Sequence, residues 1–255
     1  MDTAELIAPV RELARVAGEA IMAVYRTDFD AERKADGSPV TEADTAAEAV
    51  IVPGLRELTP DIPVISEEEF SAGNSPKEIG NRFWLVDPLD GTREFLKRND
   101  EFTVNIGLVE NDIPVFGVLY APALDLMYAG AGTGSATLVE GDAGERHISC
   151  RIPPDDGIDV LVSRSHSIGG KVDDYLSDET VRERIGQGSA LKFGRLAEGM
   201  ADIYPRFGPT CEWDTAAGHA IVLAAGGSMT CIDGTPFHYG KKDFLNPGFV
   251  AFGRR

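Results

Sequence analysis

The feature that most constrains this chain is an apolar run that ends in two closely spaced aspartates. Phe83–Val86 predicts a buried strand, and residues 87–90 follow it directly with the sequence Asp-Pro-Leu-Asp. Gly91 and Thr92 then open a short helical pattern, whose first backbone amides can bind an anion. Because two carboxylates at a strand end can hold a divalent cation, the stretch predicts a cation site beside an anion site. A metal-dependent enzyme that acts on phosphate needs this combination.

The charge balance of the chain limits its partners. Lys and Arg number 24 and Asp and Glu number 42, so the formal net charge is −18. Duplex DNA or an anionic membrane would need a basic face, so no nucleic-acid polymer is expected as a partner. A small phosphorylated substrate is compatible, because bound cations can reverse the local field. The longest uncharged stretch, residues 215–232, is too polar for a transmembrane segment.

Length and cysteine content indicate a globular protein of a reducing compartment. The 255 residues are 43% hydrophobic, which suffices for one large domain or two small ones. Cys150, Cys211 and Cys231 are odd in number, far apart and without a CxxC spacing. They predict buried thiols rather than a disulfide framework or a zinc site, and a cytoplasmic location. No signal peptide is visible at the N-terminus, and peripheral association with the inner membrane is left open.

The first half of the chain is predicted to consist of helices packed on antiparallel strands. Apolar residues recur at helical spacing from Leu6 to Tyr25 and again from Thr41 to Leu58. Pro53-Gly54 predicts a kink or a break in the second helix. Asn111-Asp112 predicts a hairpin turn. Strands are predicted at residues 64–65, 83–86, 103–109, 115–120, 126–129 and 136–139.

The second half is predicted to be a smaller α/β unit. Pro153–Gly157 is the best candidate for a boundary, which divides the chain into domains 1–154 and 155–255. Beyond it, strands are predicted at 160–162, 203–204, 229–232 and 249–252. Helices are predicted at 171–176, 191–199 and 214–225. This alternation indicates an α/β arrangement, so the chain as a whole is assigned to the α/β (α+β) class.

Each acidic candidate also has an ordinary structural explanation. Asp214 follows a tryptophan at a helix start and could cap that helix. The acidic run at 67–69 could be a solvated turn, and residues 87–90 could be a tight turn. Asp44 could complete a capping box with Thr41. Taken together, a strand followed by Asp-Pro-Leu-Asp and Gly-Thr favours a site for a hard cation such as Mg²⁺ or Mn²⁺.

Several motifs resemble those of the inositol monophosphatase superfamily, the lithium-sensitive, magnesium-dependent phosphatases. The resemblance begins with residues 84–92 (WLVDPLDGT) and continues with residues 213–218 (WDTAAG). Residues 93–99, 101–106, 204–210 and 244–249 are similar to the CysQ branch, the 3'(2'),5'-bisphosphate nucleotidases. The resemblance covers nearly the whole chain. It implies a layered α-β-α-β-α sandwich.

The resemblance also implies a role for particular residues around a bound metal. Asp44 and Thr92 would orient or deprotonate the attacking water, with Glu67 contributing, and Gly91 and Thr92 would hold the scissile phosphate. The metal ligands would be Glu67, Asp87, Asp90 and Asp214, together with the carbonyl of Leu89. Two or three Mg²⁺ would bind per site, and Mn²⁺ could replace them.

Nucleotide recognition is implied for a second set of residues. The family's Ser-Ser-Leu-Lys reads Ser-Ala-Leu-Lys at 189–192, so one hydroxyl is lost. Lys192 and Arg206 would add fixed positive charge for the phosphate that is not cleaved. His166 and Ser189 would complete the nucleotide contacts. The full set expected to contact the substrate is Glu67, Leu89, Asp90, Gly91, Thr92, His166, Ser189, Lys192, Arg206 and Asp214.

The resulting expectation is a Mg²⁺-dependent phosphatase that converts 3'-phosphoadenosine 5'-phosphate, a by-product of sulfur assimilation, to AMP. One rival keeps the chemistry but changes the substrate to inositol monophosphate or a sugar phosphate. A rival from another class is a non-catalytic sensor of a phosphorylated nucleotide or a metal. The sequence leaves open whether the chain forms a homodimer.

Overall fold

The computed structural model describes residues 3–27, 31–33, 39–164 and 170–255, and the chain begins with two long helices. A short 3-10 helix, Thr3–Leu6, leads into α1, Ile7–Tyr25. A small antiparallel pair follows, formed by β1 (Ala31–Arg33) and β2 (Pro39–Thr41). The second long helix is α2, Glu42–Leu58. Both predicted helices are confirmed, with boundaries shifted by one residue.

Pro53-Gly54 was predicted to kink or break the second helix, and the break is wrong, because α2 is continuous through Pro53. The reason lies in the packing of α2 against α1. A Cβ atom on Gly54 would lie 2.3 Å from Cδ2 of Leu13, so the glycine allows the two helices to approach closely. Burial of residues such as Ile51 and Leu55 then stabilises the helix across the proline.

The first sheet has seven strands in the order β3-β4-β5-β6-β7-β8-β9. Strand β3 is parallel to β4, and every later neighbour is antiparallel, as in the predicted meander. Asn111 and Asp112 have φ values of 49° and 65°, which confirms the hairpin turn. The elements are β3 (Val64–Ser66), α3 (Glu67–Ser71), β4 (Arg82–Asp90), α4 (Thr92–Leu96), β5 (Thr103–Glu110), β6 (Ile113–Ala121), β7 (Leu126–Gly130), β8 (Thr137–Glu140) and β9 (Glu145–His147).

The second sheet has five strands in the order β11-β10-β12-β14-β13. Strand β10 is parallel to both neighbours, and β14 is antiparallel to β12 and β13. Strand β11 escapes sequence prediction because its charged residues 182–184 are exposed at the sheet edge. The elements are β10 (Ile158–Ser163), α5 (Lys171–Tyr175), β11 (Val181–Gln187), α6 (Leu191–Ala197), β12 (Ile203–Arg206), a 3-10 helix (Glu212–Asp214), α7 (Ala216–Ala224), β13 (Ser228–Cys231) and β14 (Phe249–Phe252).

Helices and sheets alternate in five layers, which confirms the expected α-β-α-β-α sandwich. Helices α1 and α2 pack on one face of the first sheet, and α6 and α7 fill the space between the two sheets. Helix α7 lies so close to β6 that a Cβ on Gly117 would be 2.2 Å from the carbonyl oxygen of Ala217. Helix α5 packs on the outer face of the second sheet.

The two sheets are separated in sequence by residues 148–157, where the boundary is predicted. The largest hydrophobic cluster nevertheless includes residues from both sheets, so the division into two domains stays a prediction. Among the described residues, no helix is both long enough and apolar enough to cross a membrane.

Candidate active site

A β-bulge at the end of β4 places two aspartates on one face of the first sheet. Asp87 lies opposite Asn105 and Asp90 lies opposite Thr103, so β4 contains one extra residue between these pairs. In a regular strand, residues three apart point to opposite faces. The bulge brings Asp87 and Asp90 to the same face, because their partners Asn105 and Thr103 are two residues apart and share a face. The predicted strand end at Val86 is too early, since β4 continues through both aspartates.

Two further acids join Asp87 from separate elements. Strand β3 is parallel to β4, so Glu67, the residue directly after β3, lies beside the end of β4. Asp214 ends the 3-10 helix that packs on β4, and its Oδ2 accepts a hydrogen bond of 2.8 Å from the amide of Cys211. Carboxylate oxygens of Glu67, Asp87 and Asp214 all lie within 4.8 Å of one another.

This arrangement changes the structural explanations that were open for Glu67 and Asp214. The acidic run begins the short helix α3 rather than a solvated turn. Asp214 hydrogen-bonds back to Cys211 instead of capping α7, which begins two residues later. Both side chains are therefore directed by local backbone structure toward the same point as Asp87.

The acidic cluster raises the pKa of its own members. Burial, followed by repulsion from Glu67, raises the pKa of Asp87 well above its usual value. Burial and the charge of Asp90 do the same to the pKa of Asp214. Burial raises the pKa of Asp90 to about 6, although nearby Lys192 opposes the shift. Several buried carboxylates that repel one another form a site whose charge a cation would neutralise.

The donor set fits a hard divalent cation. All three clustered side chains offer carboxylate oxygens, which Mg²⁺, Mn²⁺ and Ca²⁺ prefer over softer ligands. Leu89, whose carbonyl is a predicted ligand, lines the same pocket, and its amide donates to Asp87 Oδ1 at 3.1 Å. Asp44 is buried at the start of α2, close enough for its charge to raise the pKa of Asp87.

The loop after β4 supplies a second wall of the pocket, which has a volume of about 250 Å³. Gly91 has a φ of 91°, and a Cβ there would lie 3.1 Å from Cβ of Ser189. Only glycine fits this conformation and this close approach without strain. Thr92 begins α4, and its hydroxyl donates to the carbonyl oxygen of Leu89 at 3.5 Å. The threonine hydroxyl is thus adjacent to a predicted metal ligand.

Another part of the lining of the same pocket is basic. Lys192 and Arg206 line it together with Ser189. The lysine is buried, and its Nζ donates to the carbonyl oxygens of Gln187, at 3.1 Å, and of Ser189. Burial lowers the pKa of Lys192 to about 8.

Arg206 donates to the hydroxyl of Ser163 at 3.0 Å on this basic wall. The structure thus brings ten of the twelve predicted site residues to the lining of one pocket, and Asp44 lies close enough for its charge to raise the pKa of Asp87. The remaining residue, His166, lies outside the described residues.

Sequence reasoning missed an ion pair that connects the two halves of the site. Glu101 accepts hydrogen bonds of 2.8 Å and 2.7 Å from Nε and Nη2 of Arg164, and one of 2.7 Å from the amide of Gly188. It therefore ties the end of β10 and the loop before α6 to the first sheet. Glu101 belongs to a motif noted in the sequence, but only the fold reveals that it pairs with Arg164.

Ala190, where the family's second serine is replaced, also has a polar role that sequence did not reveal. Its backbone amide donates to the Asp90 carboxylate. This hydrogen bond requires no side chain, so the missing hydroxyl does not disturb the link between Asp90 and the basic wall.

This chain is similar to known proteins over nearly its whole length. The model of the inositol monophosphatase family matches residues 2–251. The 3'(2'),5'-bisphosphate nucleotidase CysQ of Escherichia coli O6:H1 is 49% identical over 244 residues, which are 94% of this chain and 96% of the relative.

Solved structures show the same relationship. CysQ from Bacteroides thetaiotaomicron superposes with a TM-score of 0.79 at 38% identity, over 97% of this chain and 96% of the other. An inositol monophosphatase from Zymomonas mobilis also reaches a TM-score of 0.79, at 26% identity, over 100% of this chain and 95% of the other. The fold is thus shared more widely than the sequence.

Proposed function

The chain belongs to the inositol monophosphatase family, and we propose that it is a Mg²⁺-dependent phosphatase that converts 3'-phosphoadenosine 5'-phosphate to AMP and phosphate. The observation that carries this proposal is one pocket lined by both acidic and basic side chains. Its acidic wall consists of Glu67, Asp87, Asp90 and Asp214, and its basic wall consists of Lys192 and Arg206. The acidic wall suits the metal and the phosphate that is cleaved, and the basic wall suits the phosphate that stays. The 49% identity to a bisphosphate nucleotidase supports the same choice of substrate.

The acidic residues would hold the metal. Glu67, Asp87 and Asp214 already converge within 4.8 Å, and Asp90 and the Leu89 carbonyl border the same space. Two or three Mg²⁺ are proposed on the basis of the family resemblance, with Mn²⁺ as a substitute, because the acidic residues offer hard oxygen donors. When bound, such ions lower the pKa of a water molecule, neutralise phosphate charge and stabilise the leaving oxygen.

The loop after β4 would place the nucleophile and the phosphate. Thr92 and Asp44 are proposed to orient the attacking water, the threonine through its hydroxyl and the aspartate as proton acceptor, with Glu67 contributing. The amides of Gly91 and Thr92 would hold the phosphate oxygens, since both residues line the pocket and the glycine lacks a Cβ that would crowd Ser189. In this proposal the side chains of Thr92 and Asp44 position the water and accept its proton, and the backbone positions the phosphate.

The basic wall would recognise the nucleotide. Lys192 and Arg206 are proposed to bind the uncleaved 5'-phosphate, with Ser189 donating a further hydrogen bond. His166 is proposed to contact the nucleotide on the basis of the family resemblance alone. A cytoplasmic location is proposed as well, since all three cysteines are free, as is usual in a reducing compartment.

Initial rates of phosphate release test the function. Purified protein should hydrolyse the adenosine bisphosphate in Mg²⁺ much faster than inositol 1-phosphate or AMP, and Li⁺ should inhibit it. EDTA should abolish the activity. A preference for inositol 1-phosphate would favour the inositol phosphatase instead, and the absence of turnover on any phosphomonoester would favour the sensor.

A further inference from the structure

Asn105 is a fully buried amide with an unusual environment. Its side chain is 0% exposed, and neither the amide nitrogen nor the amide oxygen has a hydrogen-bond partner among the residues that the structure describes. Burying polar groups in this way is unfavourable, and buried amides are nearly always hydrogen-bonded. A fully buried position on an interior strand of a sheet would ordinarily carry an apolar residue, so this asparagine calls for an explanation.

The register of the sheet places Asn105 beside the acidic cluster. It lies on β5 directly opposite Asp87, so the two side chains share one face of the sheet. Gly107, two residues further along the same face, lies so close to α7 that a Cβ would be 2.8 Å from Cβ of Ala216. Asn105 therefore lies beside Asp87 on the face of the sheet that packs on α7.

A second polar side chain repeats the pattern. Thr103 lies two residues before Asn105, opposite Asp90, and is also 0% exposed. Its hydroxyl has no hydrogen-bond partner within the described part of the chain. The two aspartates at the end of β4 are thus each backed by a buried polar group on β5.

We propose that Asn105 is a positioning residue of the metal site, whose carboxamide hydrogen-bonds to Asp87 and its surroundings when a cation is bound. This inference rests on the proposed metal-dependent function. Cation binding draws carboxylates together and fixes their orientation. A polar side chain next to a metal-ligating carboxylate can then hydrogen-bond to it. The asparagine therefore lowers the stability of the metal-free protein and raises its affinity for the cation.

The test is Asn105→Val, which removes the amide and suits a strand. Thermal unfolding is measured in EDTA and over a Mg²⁺ titration, and Mg²⁺ affinity is measured by calorimetry. The melting temperature in EDTA should rise by about 2–4 °C, because an unpartnered polar group is lost. The dissociation constant for Mg²⁺ should increase about 10- to 100-fold, the usual cost of removing a group that orients a metal ligand.

Thr59→Val is the matched control. The hydroxyl of Thr59 is buried but already partnered, since it donates to the Leu55 carbonyl at 3.0 Å and accepts from Trp84 Nε1 at 2.9 Å. This variant should lose stability equally with and without Mg²⁺ and keep its Mg²⁺ affinity. If Asn105→Val does not fold, Asn105→Ala avoids the larger side chain and should show the same loss of affinity.

The outcomes separate this inference from the proposed function. A wild-type protein that Mg²⁺ neither binds nor stabilises would overturn the metal site itself. If Mg²⁺ binds and stabilises the wild-type protein but its affinity is unchanged in both Asn105 variants, only the positioning role is overturned. Weaker binding in both variants supports it.

Discussion

The two walls of the pocket carry opposite charge, and burying the charged groups of each wall is unfavourable without a bound ligand. On the acidic wall, burial and mutual repulsion raise the pKa of Asp87 and Asp214. On the basic wall, burial lowers the pKa of Lys192 to about 8. The acidic wall is built from strand ends and a bulge, whereas the basic wall depends on backbone carbonyls and a serine hydroxyl. A bound cation would neutralise the buried carboxylates, and the phosphate of a bound nucleotide would neutralise the buried lysine.

Asp90 is the point where the two walls meet. Its carboxylate accepts the Ala190 amide from the basic side, and Lys192 opposes the rise in its pKa. The comparison therefore predicts that variants of the acidic wall abolish catalysis on every substrate. Variants of the basic wall should instead remove the preference for one substrate.

Asp90→Asn should have the largest effect. The neutral amide is a poorer ligand for a hard cation, so kcat/KM in Mg²⁺ should fall at least about 100-fold on all phosphomonoesters. Circular dichroism and thermal unfolding should show an intact fold. Asp112→Asn, the same substitution at an exposed hairpin turn, is the control and should retain activity. An active Asp90→Asn enzyme would refute the metal site.

Lys192→Met should have the next largest effect, and its effect should depend on the substrate. Loss of a charge-assisted contact to the uncleaved phosphate should lower kcat/KM for the adenosine bisphosphate about 30- to 100-fold. Hydrolysis of 3'-AMP, which lacks the 5'-phosphate, should change little. Steady-state kinetics on the two nucleotides measures this difference. Equal losses on both would place Lys192 in the chemistry of the acidic wall.

The sequence predicted the acidic wall better than the basic wall. Asp87 and Asp90 lie three residues apart after an apolar run, so local pattern alone suggested a cation site. What it could not show is the bulge, which depends on pairing with β5. The pairing of Glu101 with Arg164 joins residues 63 positions apart, and such contacts arise only from the tertiary fold. The break predicted at Pro53 was wrong for a related reason, since packing on α1 overrides local propensity.

Glu101→Gln should have a moderate effect on the basic wall. The neutral side chain weakens the pair with Arg164, and the loop from Gly188 to Lys192 becomes less well fixed. KM for the bisphosphate should rise about 3- to 10-fold with little change in kcat, because substrate binding rather than chemistry depends on that loop. Glu145→Gln, which weakens a 2.8 Å ion pair with Arg11, is the matched control and should leave KM unchanged. A fall in kcat alone would contradict the positioning of the basic wall.

The smallest predicted effect concerns the pH dependence of stability on the acidic wall. In the folded protein the pKa of Asp90 is about 6, above its ordinary value of 3.8. Between pH 7 and pH 5 the native state therefore binds more protons at this residue than the unfolded state, so lowering the pH stabilises the metal-free protein. Asp90 alone should contribute about 1 kcal/mol over this interval, or about 2–4 °C in melting temperature. Saturating Mg²⁺ should reverse the sign, because protons then compete with the cation. Asp90→Asn should reduce both slopes without removing them, because the raised pKa values of Asp87 and Asp214 remain. Melting temperatures in EDTA and in Mg²⁺ across this range measure the effect, and identical slopes in the two conditions would show that the carboxylate does not hold the metal.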